Sequence, residues 1–403
     1  MTPANLSPTT HDLEASWDAL TAEELRRRGS LKWTVEPGVI GAWVAEMDLG
    51  TAPVVTEALQ QAVTDGTLGY LPPQLAQQVA TVTADFQASR YDWQVSAQDV
   101  NLLPDVLSGL RAILERHSRP GTDVIVPTPA YMPFLTIPAQ YGRRCVQVPA
   151  LKRAGADGSP RWSLDLEGIE RAMREGAGVL VLCNPWNPVG RVLNAAELDA
   201  VASLSTRYGV TVFADEIHGP LVLDPALRHV PYASRPEADP ALTFTATAVS
   251  KGWNVAGLKC AQLIASGGAR TRWEASPLSR HLEMEASILG ARAAVAALSP
   301  DGVAWLEVLR GYLWGNVQLL ARDLSQVPGA ELTRPEGTYL AWLDLSGTPA
   351  AASPARFLLE RARVSVNDGA TFGRGFESFA RLNLAAPRTL ALETASKIAQ
   401  ALA

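Results

Sequence analysis

An α/β architecture, with a large domain on a mostly parallel sheet and a smaller α/β domain, is the fold class this sequence predicts. Two observations carry it. Short, almost continuously apolar runs alternate with helical patterns through the middle of the chain, whereas both ends carry long helical stretches and isolated strands. A strand covered on both faces loses the polar–apolar alternation of a half-exposed one, and alternating β and α patterns imply a largely parallel sheet with helices on its faces.

In chain order, strands are expected at Thr122–Val126, Arg143–Val148, Gly178–Cys183, Gly209–Phe213, Ala241–Thr245 and Cys260–Ala265. Helical patterns intervene. In Glu197–Tyr208, Leu198, Val201, Ala202 and Leu204 fall on one helix face. Toward the C-terminus, Ala286–Leu298 and Val303–Leu324 read as helices, Thr338–Leu345 and Ser378–Leu384 as strands, and Pro387–Leu402 as a closing helix. The economical partition places 49–289 in the large domain and builds the small one from both termini, 1–48 and 290–403.

Composition narrows the function classes. The 403 residues are 47% hydrophobic and 19% charged, an ordinary globular balance. Net charge is −6 with no basic run, so nucleic-acid binding lacks its electrostatic footprint. No apolar stretch approaches the roughly 20 residues that span a bilayer, and MTPANLSPTTHDLEASW has no apolar signal core, so the protein reads as cytoplasmic. Cys145, Cys183 and Cys260 sit in or beside apolar runs and read as buried reduced thiols. The five histidines show no metal-ligand spacing.

In open α/β sheets, ligands collect at the carboxyl ends of strands. Three such ends carry polar residues: Asn184 and Asn187 after Gly178–Cys183, Asp215 and His218 after Gly209–Phe213, and Ser250 and Lys251 after Ala241–Thr245. An amide, a carboxylate and an amine thus converge on one edge. Pyridoxal 5′-phosphate (PLP) chemistry needs such a set: a lysine for the cofactor aldehyde and for proton transfer, a carboxylate for the pyridine nitrogen, and a donor for the ring hydroxyl. In Ser378–Leu384, period-two alternation separates Leu382 and Leu384 from Arg381 and Asn383. Arg381 is therefore expected to face the cleft.

The ordered strings NPWNPVGRV, VFADEIH, SKGWNVAGLK and FARLNLAAPR, with SLKW, WVAEMD, TPAY and GTYLAWLD, resemble the class I/II aminotransferase superfamily. Within it they look most like the MalY/PatB type of cystathionine β-lyase. The resemblance covers about residues 30 to 390 and implies the aminotransferase-like fold (PLP fold type I), a homodimer and an amino-acid substrate. Residue by residue it implies Lys251 as the cofactor lysine, Asp215 on the pyridine nitrogen, Asn187 on the ring hydroxyl, His218 in support and Tyr131 stacked on the ring. It places Tyr70 on the phosphate across the dimer interface and Arg381 on the substrate α-carboxylate. The amides of Val106 and Leu107, at a helix N-terminus, join Ser250 and Lys259 as phosphate candidates.

The chain departs from relatives at Glu46, Trp186, Ala248 and Gly252–Trp253, which bears on substrate choice more than on catalysis. Trp186 and Trp253 are candidates for narrowing the cleft, and Asp105 suits a phosphate neighbour only if its carboxylate turns into a helix cap. The expected reaction is β-elimination from a cysteine-S-conjugate such as cystathionine. An aminotransferase is the alternative, and a PLP-fold regulator the third reading.

Overall fold

A computed structural model describes residues 10–155 and 160–403. Of the segment MTPANLSPTTHDLEASW, read as lacking a signal core, residues 1–9 lie outside the described residues.

The central sheet has seven strands: β1 (Val100–Leu103), β2 (Val124–Thr128), β3 (Cys145–Pro149), β4 (Val179–Cys183), β5 (Thr211–Asp215), β6 (Thr243–Thr247) and β7 (Ala261–Ile264). Their order is β1-β7-β6-β5-β4-β2-β3. β7 runs antiparallel to both neighbours, and the pairs among β2 to β6 are parallel. All six expected strands form. β1 was not legible, because Asn101 interrupts a four-residue run; its four residues are nonetheless buried at the sheet edge.

Several strands begin one or two residues later than their apolar runs suggest. Gly209, read as the start of β5, instead closes the helix Ala195–Tyr208 with φ 62°, a left-handed conformation that glycine adopts without a Cβ clash. Asp215 is consequently the last residue of β5 rather than the second beyond it. The same helix opens on a reciprocal cap: Asn194 accepts from the Glu197 amide, and Glu197 accepts from the Asn194 amide. Such a cap stabilises by about 1 kcal/mol relative to alanine. Glu197 also grips Arg191 at 2.7 and 2.8 Å, which ties the NPWNPVGR loop, and Asn187 within it, to the helix that follows.

A second sheet holds β8 (Glu331–Thr333), β9 (Leu340–Asp344), β10 (Asn367–Asp368) and β11 (Phe379–Asn383), all antiparallel in the order β8-β9-β11-β10. The two chain ends meet beside it. Ile40–Gly41 pairs in parallel with Val364–Ser365. Trp17, on the first helix, packs edge-on against Trp305 and Tyr312 of the long helix Pro300–Leu324. One apolar cluster runs from Trp17 to Leu402, and each large aliphatic side chain buried in it contributes roughly 1.5–3 kcal/mol. Among the described residues, no helix is long and apolar enough to cross a membrane.

A bent strap, Trp43–Asp48, crosses between the sheets and is held from three sides. Asp48 accepts from buried Lys32 and from Trp33 Nε1, both at 2.8 Å. Asn254 brackets Met47, accepting from its amide and donating to its carbonyl. Asn383 Nδ2 donates to the carbonyls of Val44 and Glu46. Removing one partner of a buried ion pair costs about 3–5 kcal/mol, so the strap is a fixed wall.

Candidate active site

Three strand ends and the strap enclose one polar site. Asp215 closes β5 with its side chain buried. Its Oδ1 accepts from the Ile217 amide at 3.2 Å, and the Cys183 thiol lies 3.8 Å from Oδ2. Burial pushes this carboxyl up to about 7, against the Ile217 amide, the Cys183 thiol and the Lys251 charge, with Glu216 adding to the rise. Lys251, in the turn after β6, donates to the Ala45 carbonyl of the strap at 2.8 Å. Burial, and then the Arg381 charge, bring its amine down to about 8. An acid and a base of normally very different strength are thereby drawn close to neutrality.

Arg381 was expected to face a cleft, and it does point away from the Leu382 side, but the face it occupies is covered. The side chain is 3% exposed, and every residue of β11 is buried. Its Nη1 donates to Asn187 Oδ1 at 3.0 Å, and Nη2 donates to the Trp43 carbonyl at 3.0 Å and to Asn367 Oδ1. Nε is buried without a partner, and the guanidinium lies 5.0 Å over the Phe372 ring. Every acceptor is neutral. Burial lowers the guanidinium to about 10, with Tyr131 and Tyr339 opposing. A buried cation met only by amides and carbonyls is arranged to receive an anion.

His218 is buried, its Nδ1 has no partner, and its ring stands edge-on to Tyr339 at 6.3 Å. Burial, then Lys251 and Arg381, force its pKa down to about 3, so the imidazole is neutral. Tyr131 heads the helix Met132–Gln140 and meets Phe134 edge-on. Burial raises its phenol, and it feels the charges of Arg381, Asp215 and Asp105. Asn187 spends Oδ1 on Arg381 and makes no hydrogen bond through Nδ2 among the described residues.

On the next side, Asp105 does turn into a cap. Its Oδ1 accepts from the Ser108 amide at 2.9 Å at the start of the helix Val106–Ala112, while Oδ2 pairs with Lys259 at 3.1 Å. The amides of Val106 and Leu107 sit in the first turn, where no intrahelical carbonyl reaches them. Lys259 is 57% exposed, and Ser250 precedes Lys251 with its side chain partly buried.

Tyr70 is not brought to this site within one chain. It is 97% exposed and lines, with Leu71, Ala76 and Met284, a groove of about 770 Å³. Trp186 and Trp253 do not narrow the cleft: both are buried, donating to the carbonyls of Pro129 and Gly302. Of the three cysteines, only Cys260 is fully buried; Cys145 and Cys183 are partly so.

The sequence reading quoted WVAEMD and GTYLAWLD only as family likeness and gave no site role to Tyr339, Asn367 or the strap. Tyr339 donates to the Ala45 carbonyl at 3.1 Å, sharing that acceptor with Lys251. A tyrosine one residue ahead of an apolar strand was the available signal. Trp43 and Ala45 act through backbone carbonyls, which side-chain identity does not report. Asn367 lies on a two-residue strand with no pattern to mark it.

The donor set fits PLP. Among the described residues a buried carboxylate makes no ion pair, His218 Nδ1 and Arg381 Nε have no partner, an amine sits beside the carboxylate, and the free amides of a helix start lie close by. The comparisons agree. The sequence is 37% identical to cystathionine β-lyase of Corynebacterium glutamicum, over 94% of this chain and 98% of the relative. It is 30% identical to cystathionine β-lyase PatB of Bacillus subtilis, over 90% and 93%. Its fold superposes on cystalysin from Treponema denticola, which contains a PLP cofactor, with a TM-score of 0.86, 26% identity and 96% and 98% coverage. The pattern of aminotransferase class I and II matches residues 40–397, and with the sheet order and the enclosed amine, carboxylate and guanidinium already described, the chain belongs to that family.

Proposed function

We propose that this chain is a PLP-dependent carbon–sulfur lyase, which converts cystathionine or a related cysteine-S-conjugate and water into a thiol, pyruvate and ammonia. The observation that carries the reading is the enclosed trio of Lys251, Asp215 and Arg381, with amine and carboxyl both shifted toward neutrality. Cystathionine β-lyases 30–37% identical over 90% or more of the chain favour elimination over amino transfer.

PLP, when bound, supplies an aldehyde for the substrate amine and an electron sink for the pair left at Cα. Arg381 grips the substrate α-carboxylate, which replaces the Trp43 carbonyl and fills the vacant Nε. Lys251 is partly neutral near pH 8, and its amine takes the Cα proton. Asp215 keeps a proton on the pyridine nitrogen, and Asn187 Nδ2 donates to the ring hydroxyl with neutral His218 beside it. Tyr131 covers the ring. Val106, Leu107, Ser250 and Lys259 hold the phosphate. Purified enzyme given cystathionine should release pyruvate and a free thiol without any 2-oxo acid. Turnover that requires an added 2-oxo acid, and yields its amino acid, would make it an aminotransferase instead.

The exposed Tyr70, with Leu68 at 53% and Met284 at 71% exposed beside it, supports a homodimer in which Tyr70 reaches the neighbouring subunit's phosphate. Mixing inactive Lys251→Ala with Tyr70→Phe should restore activity above either parent, because hybrid dimers hold one intact site. An active monomer at assay concentration would refute the shared site.

Asp215 also sets a pH dependence. Its folded pKa, about 7, lies above the ordinary aspartate value of 3.8. Between these limits the folded state holds the extra proton, so raising the pH weakens the fold, and the loss levels off above pH 7. Cofactor-free enzyme should therefore lose a few kcal/mol of stability from pH 4 to 7 that Asp215→Asn does not lose. Bound cofactor should abolish the difference by giving the carboxylate a cation. Denaturant titrations with equal slopes for both proteins would contradict the assignment.

A further inference from the structure

The carbonyl of Ala45 takes two side-chain donors from distant segments: Lys251 Nζ at 2.8 Å and the Tyr339 hydroxyl at 3.1 Å. Among the described residues no other donor reaches it. The oxygen cannot turn away from either. Glu46 donates its amide to the Val44 carbonyl at 3.0 Å, closing a tight turn around Ala45. Asn383 Nδ2 holds the carbonyls of Val44 and Glu46 on both sides of it.

Tyr339 is fixed as firmly. It is fully buried, and its carbonyl accepts from the Leu384 amide at 2.8 Å. Thr338, directly before it, has φ 65°, a left-handed conformation in which a β-branched residue is a genuine outlier. The Thr338 amide donates to the Leu221 carbonyl at 2.7 Å, and its Oγ1 accepts from the Leu340 amide at 2.9 Å. The amides of Glu336 and Gly337 both donate to the Gly190 carbonyl at 2.8 Å. Strain of this kind persists where the surroundings over-determine it, and it collects at functional sites. What it places here is a hydroxyl whose one hydrogen bond among the described residues goes to the acceptor used by Lys251.

Two donors divide the lone pairs of one carbonyl oxygen. A carbonyl given wholly to an ammonium makes a charge-assisted bond, the stronger kind, and so favours the protonated amine. A second donor on the same oxygen loosens that bond and keeps the oxygen satisfied when the amine moves. An amine attacks an aldehyde through its lone pair, so Lys251 has to shed its extra proton before it can serve the cofactor.

We propose that Tyr339 is a positioning residue for Lys251: by sharing the Ala45 carbonyl, its hydroxyl weakens the strap's hold on the ammonium and leaves the amine available to the cofactor. This rests on the role proposed above for Lys251. The other charges around the amine act differently. Arg381 on β11, Asp215 at the end of β5, Glu46 on the strap and Lys259 reach it through space, and neutral His218 stands edge-on to Tyr339. Among the described residues none of their side chains donates to the Ala45 carbonyl.

The test follows the amine itself. In the full-length chain stripped of cofactor, the rate at which an acylating reagent labels Lys251 is measured against pH by peptide mass. Tyr339→Phe keeps the ring and removes only the hydroxyl. It should leave about a third or less of the wild type's neutral amine at pH 7, and the reconstituted holoenzyme should hold its cofactor about threefold or more weakly. Tyr339→fluorotyrosine, with a more acidic hydroxyl that donates more strongly, should shift the labelling curve the other way. Loosened packing would instead shift both variants in one direction and would change the pH dependence of stability set by Asp215. An unmoved labelling curve in Tyr339→Phe, shifts of the same sign in both variants, or a parallel change in the Asp215-dependent slope would each overturn the role. Labelling involves no turnover, so its failure leaves the proposed reaction standing, and failure of the lyase assay leaves the labelling result intact.

Discussion

Lys251→Ala is expected to lower turnover by more than ~10³-fold, because it removes the group that moves the Cα proton, a contribution of roughly 10²–10⁴ by itself, together with the amine that holds the cofactor. The structure gives that lysine few alternatives. Its amine is drawn to about 8 by burial and by Arg381, and its one hydrogen bond among the described residues goes to the strap carbonyl of Ala45. Lys259 cannot substitute, since it is largely exposed and paired with Asp105. Borohydride reduction of the wild type should place pyridoxyl on Lys251, read by peptide mass, and the alanine variant should remain unlabelled. Label on another lysine, or retained turnover, would sink the assignment.

Arg381→Lys should depress kcat/KM about 30- to 5,000-fold, the kinetic equivalent of the ~2–5 kcal/mol lost when a buried, hydrogen-bonded charge loses its partner geometry. Lysine keeps the charge but not the planar fork, and the acceptors on Asn187, Asn367 and Trp43 are spaced for that fork. A substrate carboxamide separates this role from general damage. The wild type should handle it as poorly as the variant does, and the variant should lose little further. Equal losses on acid and amide would show that Arg381 does not meet the carboxylate. The stability effect should run the other way: Arg381→Met is expected to stabilise the cofactor-free protein, because it removes a buried cation that has no counter-ion.

How much of this was legible beforehand depended on the kind of signal. The six core strands were readable because a strand buried on both faces must be apolar along its whole length, and the helix Ala195–Tyr208 because one face had to match a core. The positions of Asp215, Lys251 and Asn187 followed from the same logic, since a polar residue that ends an apolar strand emerges at the sheet edge. Arg381 was legible as far as its face, because alternation in a strand is a local rule. That this face is buried under Trp43, Asn187 and Asn367 is not local: those residues lie 14 to 338 positions away.

By itself, then, the sequence determined the α/β class, the strand ends that carry chemistry and the residue types available there, because those depend on periodicities of two and 3.6 and on the chemistry of each side chain. Tertiary structure alone decided the rest. The strap Trp43–Asp48 presents backbone carbonyls, which every residue possesses, so only its path between two sheets makes Ala45 the partner of both Lys251 and Tyr339. The shifts of Asp215, Lys251, His218 and Arg381 arise chiefly from burial, and burial is a property of what the rest of the chain packs around a group. The fate of Trp186 and Trp253 was decided in the same way: a large indole beside a site fills a core or lines a cleft according to which neighbours close over it, and here the core closed over both.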